Sequence, residues 1–196
     1  MIQTKEDLKK YLINDKKALG KTYTRPKLFN DEIWKFEILL RKTEYYYNNR
    51  NKIFHKIMYF LFMYRFHKMR IKLGYSIPLN VFDYGLSIAH RGTIVVNGNC
   101  KIGKNCRIQE STTIGSTNGS NEAPKIGNNV FIGSGARIIG NIRIADDIAI
   151  GANAVVNKNF LDNGITIAGV PAKKISNNNS HSNLNEQLFL VGESYE

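Results

Sequence analysis

From Ile88 onward an aliphatic residue returns about every sixth position: Ile88, Ile94, Ile102, Ile108, Ile114, Ile126, Ile132, Ile138, Ile144 and Ile150, with a two-residue slip before Ile102. The fourth residue after each is small or apolar nearly throughout, as at Cys106, Thr112, Val130, Ala136, Ile142, Ile148 and Ala154. A period near six is neither the 3.6 of an α-helix nor the 2 of an isolated strand. It suits a solenoid of short flat faces, each turning one branched side chain inward so that stacked coils share a continuous core. Glycine directly after the aliphatic residue, as at Gly103, Gly127, Gly133 and Gly151, gives the backbone freedom at the corners.

Ahead of the repeat the spacing turns helical. Lys5 to Ile13 places apolar residues at helical intervals, with Thr4 as N-cap and Asp7 closing a capping box. Asp31 to Asn49 opens on acidic residues suited to a helix N-terminus and sets Ile33, Phe36 and Leu40 on one face, flanked by Trp34 and Leu39. Lys52 to Leu73 is a third helix, dense in aromatic, Met and basic residues, whose uncharged run Ile57 to Tyr64 is far too short to cross a bilayer. Two settings suit it: burial against the solenoid and neighbouring copies in an oligomer, or rest on an anionic lipid surface. No recognition motif accompanies the charge, so nucleic acid is set aside.

Charge sharpens the division. Residues 1–80 hold 18 of the 28 Lys and Arg against 7 acidic residues, whereas the remainder is almost balanced. The composition shift near Pro78 predicts an α-helical basic region over 1–78, a solenoid over 79–175 and a polar, loosely ordered tail over 176–196, with a short turn near Leu188. Cys100 and Cys106 lack Cys-x-x-Cys spacing and read as reduced, Cys106 as a small inward-facing hydrophobe. The polar start, Met1 to Asp7, does not read as a signal peptide, so a cytoplasmic setting is expected, with the inner face of the membrane as the place if the basic helix meets lipid. His and Cys are too few and scattered for a metal site.

The stretches "SIAHRGTIVVNGNCKIGKNC", "TTIG", "VFIGSGARIIGN", "AIGANAVV" and "AGVPAKKI" resemble the hexapeptide-repeat acyltransferases, and within them the serine acetyltransferase branch with its relatives among capsule and lipopolysaccharide genes. The resemblance covers Ile88 to Ile175 strongly and Ser76 to Leu86 more weakly. It implies a mainly β chain, a left-handed parallel β-helix preceded by the helical region, acetyl-CoA as co-substrate, and a trimer or hexamer with the CoA groove between neighbouring chains. It also implies a general base. His90 is the single histidine of the solenoid, matches the catalytic histidine of the family, and carries an imidazole that titrates near working pH.

On the donor side the resemblance assigns Ser116, Thr117, Ser134, Gly135 and Ala152 to the pantetheine groove and Lys173 to the nucleotide phosphates. On the acceptor side the chain departs from the pattern. Tyr75 stands where the family has the aspartate that orients the histidine, leaving Asp83, Glu110 or a backbone carbonyl as candidates, with Asp83 also readable as a turn residue before Gly85. Ala89 replaces an aspartate beside the histidine, Glu122 and Ala123 replace an Arg-His pair that grips the serine carboxylate, and the chain ends in Ser-Tyr-Glu, without the isoleucine used to dock a sulfhydrylase. These departures predict O-acetylation of a capsular or lipopolysaccharide sugar. Serine O-acetylation and an inactive β-helix scaffold are the alternatives.

Overall fold

A computed structural model describes residues 1–190. Three helices come first: α1 (Lys5–Ala18), α2 (Glu32–Asn48) and α3 (Ile53–Leu73). The expected capping box is present on α1, where Thr4 accepts from the Asp7 N–H at 3.0 Å and Asp7 accepts from the Thr4 N–H at 2.9 Å. α3 stops at Gly74, whose left-handed φ of 79° lets its N–H reach the carbonyls of Arg70 and Ile71.

The chain then winds in coils of short strands. β1 (Tyr75–Ser76) opens the stack, ahead of Pro78. The next coil carries β2 (Ser87–Ile88), β3 (Ile94–Val96) and β4 (Lys101–Ile102), and the following one β5 (Arg107–Ile108), β6 (Thr113–Gly115) and β7 (Lys125–Ile126). Above them lie β8 (Phe131–Ile132), β9 (Arg137–Ile139) and β10 (Arg143–Ile144), then β11 (Ala149–Ile150) and β12 (Val155–Val156). β13 (Thr166–Gly169) and β14 (Ala172–Ser176) close the stack as an antiparallel pair. The strands sort into three flat faces, β1-β3-β6-β9-β12, β4-β7-β10 and β2-β5-β8-β11-β13-β14, parallel except at that last pair. This is a triangular parallel β-helix.

Every repeat isoleucine from Ile88 to Ile150 is buried, and so are Cys106, Thr112, Val130, Ala136, Ile142, Ile148 and Ala154. Where the chain turns in a left-handed conformation, asparagine and aspartate stack in a column. Asn105, Asn129 and Asp147 have φ of 57°, 54° and 60° and join through Nδ2–Oδ1 hydrogen bonds of 2.8 and 2.9 Å. The tail differs from expectation. His181 lies 2.8 Å from Asp147 and stacks on Phe189, Ser180 donates to the Asn129 carbonyl, and Leu184 is buried. The segment predicted to be loose is therefore a strap across the asparagine column; the remainder of the tail lies outside the described residues.

The helices dock through buried charge. Arg41 reaches Asp15 at 2.7 Å and Glu44 at 3.0 Å, and donates to the carbonyls of Phe82 and Asp83. Asp15 in turn accepts from the N–H groups of Gly85 and Leu86, Glu44 from that of Asn80, and Glu37 from that of Ile88. α3 buries only Phe66 and Leu73 in this chain, leaving Ile53, Phe54, Ile57, Phe60, Leu61 and Tyr64 more than half exposed. None of the helices among the described residues is long and apolar enough to cross a membrane.

Candidate active site

His90 lies two residues beyond β2, at the corner where the chain turns toward β3. Strand register fixes what stacks on it. Ile88 pairs with Ile108, Ile108 with Ile132 and Ile132 with Ile150, so His90, Glu110, Ser134 and Ala152 follow one another up a single corner. The imidazole is exposed, but its backbone is held twice: Tyr75 donates its hydroxyl to the His90 carbonyl at 2.9 Å, and Glu37 takes the Ile88 N–H at 3.0 Å. Burial, then the Glu37 charge, raises the Tyr75 hydroxyl well above the ordinary tyrosine range, so it remains a donor. Tyr75 thus positions the His90 segment through the main chain.

Above Glu110 the corner narrows to small side chains. Gly135 turns with φ of 75°, and a Cβ there would lie 2.1 Å from Asn153 Oδ1. A Cβ on Gly133 would lie 2.7 Å from the Ala152 nitrogen. Three predicted donor-side residues, Ser134, Gly135 and Ala152, therefore share the His90 corner. Ser116 and Thr117 follow β6 at the next corner, where Ser116 accepts from Asn97 at 3.2 Å, and Lys173 lies on the closing hairpin.

Asp83 lies elsewhere. Phe82 bridges Ile102 on the β4 face, which puts Asp83 at the corner between that face and the β2 face. Its carboxylate accepts the Tyr84 N–H at 2.8 Å and pairs with the Tyr11 hydroxyl. Asp83 thus bonds within its own turn, before Gly85, at a different corner of the triangle from His90. A groove of about 520 Å³ beside Asp83, lined by Lys101, Lys125 and Arg143, belongs to that β4 face too.

Next to His90 is a second hollow, of about 320 Å³, lined by Ser87, Ala89, Arg91, Arg107, Lys21 and Asp31 among others. Burial pushes the Asp31 carboxyl up, but Lys21 at 2.8 Å, the Lys27 N–H and the Tyr23 hydroxyl outweigh it and hold it at about 2. Asp31 is thereby paired with Lys21, while Arg91 and Arg107 share the lining with Glu32, whose carboxyl its own N–H, then Arg91, hold below the ordinary range. Sequence reasoning missed Arg107 and Glu37. Glu37 had a signal: it lies on the same helical stripe as Ile33, Leu40 and Glu44, where a carboxylate among apolar residues marks a buried acid. No group of three His, Cys, Asp or Glu among the described residues could hold a metal ion.

Comparison with known proteins agrees with this architecture. The family model of the bacterial transferase hexapeptide (six repeats) matches residues 123–158. The chain is 38% identical over 121 residues to a serine acetyltransferase of Buchnera aphidicola subsp. Schizaphis graminum, covering 57% of this chain and 46% of that protein. It is 38% identical over 94 residues to a serine acetyltransferase of Helicobacter pylori, covering 47% and 54%. The chain thus spans about half the length of these relatives. A serine acetyltransferase from Brucella abortus in complex with coenzyme A superposes with a TM-score of 0.65 at 26% identity, over 88% of this chain and 69% of that one. Another serine acetyltransferase, in complex with CoA, gives a TM-score of 0.58 at 27% identity, over 76% and 59%. The fold is the left-handed hexapeptide-repeat β-helix of acetyltransferases, with an added helical region.

These relatives overturn the expectation of a capsule or lipopolysaccharide sugar as acceptor, since they are serine acetyltransferases. The structure gives the reason the inference failed. Ala123 is buried in the core, and the Glu122 carboxylate accepts from Asn141 at 2.5 Å. Both positions are thus committed within this chain, and the cationic residues of the hollow beside Ala89 are Lys21, Arg91 and Arg107.

Proposed function

We propose that this chain is an acetyl-CoA-dependent O-acetyltransferase whose acceptor is the hydroxyl of L-serine. The observation that carries the reading is one corner of the β-helix. It sets a histidine between a furrow of small residues, suited to a pantetheine arm, and a hollow walled by Arg91 and Arg107, suited to an amino-acid carboxylate. The serine acetyltransferase relatives and the CoA-bound neighbours support donor and acceptor alike.

His90 takes the hydroxyl proton as the serine oxygen attacks the thioester carbonyl. Collapse of the tetrahedral intermediate breaks the carbon–sulfur bond, and the imidazolium returns its proton to the departing thiolate. The products are O-acetylserine and CoA. The working unit is a trimer or a hexamer, with neighbouring chains completing the CoA groove.

The test is thiol release with acetyl-CoA plus L-serine. Saturable release is expected, with His90→Ala lowering turnover by roughly 10²–10⁴, the usual worth of a positioned general base. Arg91→Ala with Arg107→Ala should raise KM for serine tenfold or more at little change in acetyl-CoA affinity, because charge-assisted hydrogen bonds contribute about 1.5–3 kcal/mol each. Near-normal turnover by His90→Ala would remove it from the mechanism.

A further inference from the structure

Directly up the corner from His90, one coil on, sits a carboxylate with one oxygen uncommitted. Glu110 Oε1 accepts from Ser134 Oγ at 2.5 Å, while Oε2 is buried and has no hydrogen-bond partner. The backbone frames it: the Glu110 carbonyl accepts from the Gly135 N–H at 3.0 Å and, more weakly, from Ser134 Oγ at 3.4 Å. Gly92, just past the histidine, has φ of 142°, and a Cβ there would lie 2.9 Å from Glu110 Cβ. The glycine therefore leaves the space through which the carboxylate lies against the His90 turn.

We propose that Glu110 is the positioning residue of His90, the carboxylate that accepts from the imidazole nitrogen not engaged with the acceptor and so replaces the orienting group that Tyr75 cannot supply. The inference rests on the reading of His90 as general base. A buried oxygen without a partner is costly unless one arrives. In the resting chain none does. Rotation of the exposed imidazole over its in-register neighbour supplies one N–H, fixing tautomer and ring direction together. Ser134 anchors the other oxygen, so the carboxylate cannot swing away. The Ser134 hydroxyl, the residue's own N–H and the nearby imidazole hold the Glu110 carboxyl below its ordinary range, which leaves it ionised and acceptor-only through neutral pH.

The charged and titratable groups around this corner are His90 and Arg91 on the coil before, Arg107 on the same coil and Arg137 on the coil after, the last donating to the Ser111 and Gly135 carbonyls. None of the arginines bonds to Oε2. The imidazole is the group left to it.

The experiment compares Glu110→Gln and Glu110→Asp with the parent and with His90→Ala in steady-state kinetics across pH. Glu110→Gln should lower kcat by about tenfold to 10²-fold, the cost of a catalytic group misplaced by about 1 Å. KM for acetyl-CoA should stay within about twofold. The acidic limb of kcat/KM should move to lower pH, because removing a negative neighbour disfavours imidazolium. Glu110→Asp, which keeps the charge on a shorter arm, should retain the position of that limb and recover part of kcat. If Glu110→Gln does not fold, Glu110→Ala takes its place, with the same fall in kcat and the same move of the limb to lower pH expected. Unchanged kcat and limb in Glu110→Gln overturn the proposal, and so does a fall in kcat with the limb unmoved, which marks a merely structural role. Should His90→Ala retain full turnover, the failure lies with the general base and not with Glu110.

Discussion

At the scale of single residues, Glu37 makes the sharpest claim about pH. Burial first, then the Asp15 charge, push its carboxyl well above the ordinary carboxylate range, against smaller opposing contributions from the Ile88 N–H and Arg41. A carboxyl raised in the folded state stabilises the fold while protonated, and that contribution is lost as pH climbs from its unfolded value toward the folded one. Glutamine keeps the acceptor for the Ile88 N–H and cannot ionise. Thermal unfolding of Glu37→Gln and the parent should therefore converge near pH 4–5 and separate in favour of glutamine as pH rises to about 8. A gap independent of pH would mean that the Glu37 carboxyl titrates alike in the folded and the unfolded chain, which overturns the raised value. Because Glu37 holds the strand that leads into His90, the same variant tests whether neutral glutamine suffices to keep the His90 turn in place.

At the scale of elements, each helix is joined to the first coils by a few groups of very different worth. Thr4→Ala removes an exposed cap and should cost about 1 kcal/mol. Arg41→Ala leaves Asp15 and Glu44 buried without their cation and should cost about 3–5 kcal/mol, read as a fall in urea midpoint at unchanged activity per folded molecule. The contrast explains what could be read from the chain alone. The coil period, the inward residues and the capping box depend on local spacing, so Ile88 to Ile150 and Thr4 with Asp7 were legible. The Arg41–Asp15 pair and the Glu37 grip join residues tens of positions apart, and no periodicity announces which buried carboxylate will meet which N–H. His90 was legible as a lone histidine in a matched motif. The location of Asp83 was not, because only the strand register tells which corner of the triangle a residue occupies.

For the whole molecule, the unsettled surface is the α3 strip from Ile53 to Tyr64, larger than the scattered apolar side chains a lone soluble chain exposes. The trimer or hexamer proposed above supplies a second copy as its cover. Light scattering should give a mass of three or six chains, and Phe60→Glu with Leu61→Glu should reduce it. A monodisperse, fully active monomer would refute the assembly. Parent protein that instead sediments with anionic vesicles, while its mass is untouched by the paired substitution, would assign the strip to lipid.

The reversal of β14 against β13 has a consequence for self-propagation. A stack of parallel coils ends in unpaired backbone of the polarity that another coil needs, which is the geometry of a growing fibre. Here the terminal strand runs the opposite way and places exposed Lys173 and Lys174 on the free edge. On that face an incoming coil would meet a strand of the wrong direction, like charge and no matching register. The hairpin closes this one side of the triangle, and the turn at Val170 and Pro171 is where that side stops.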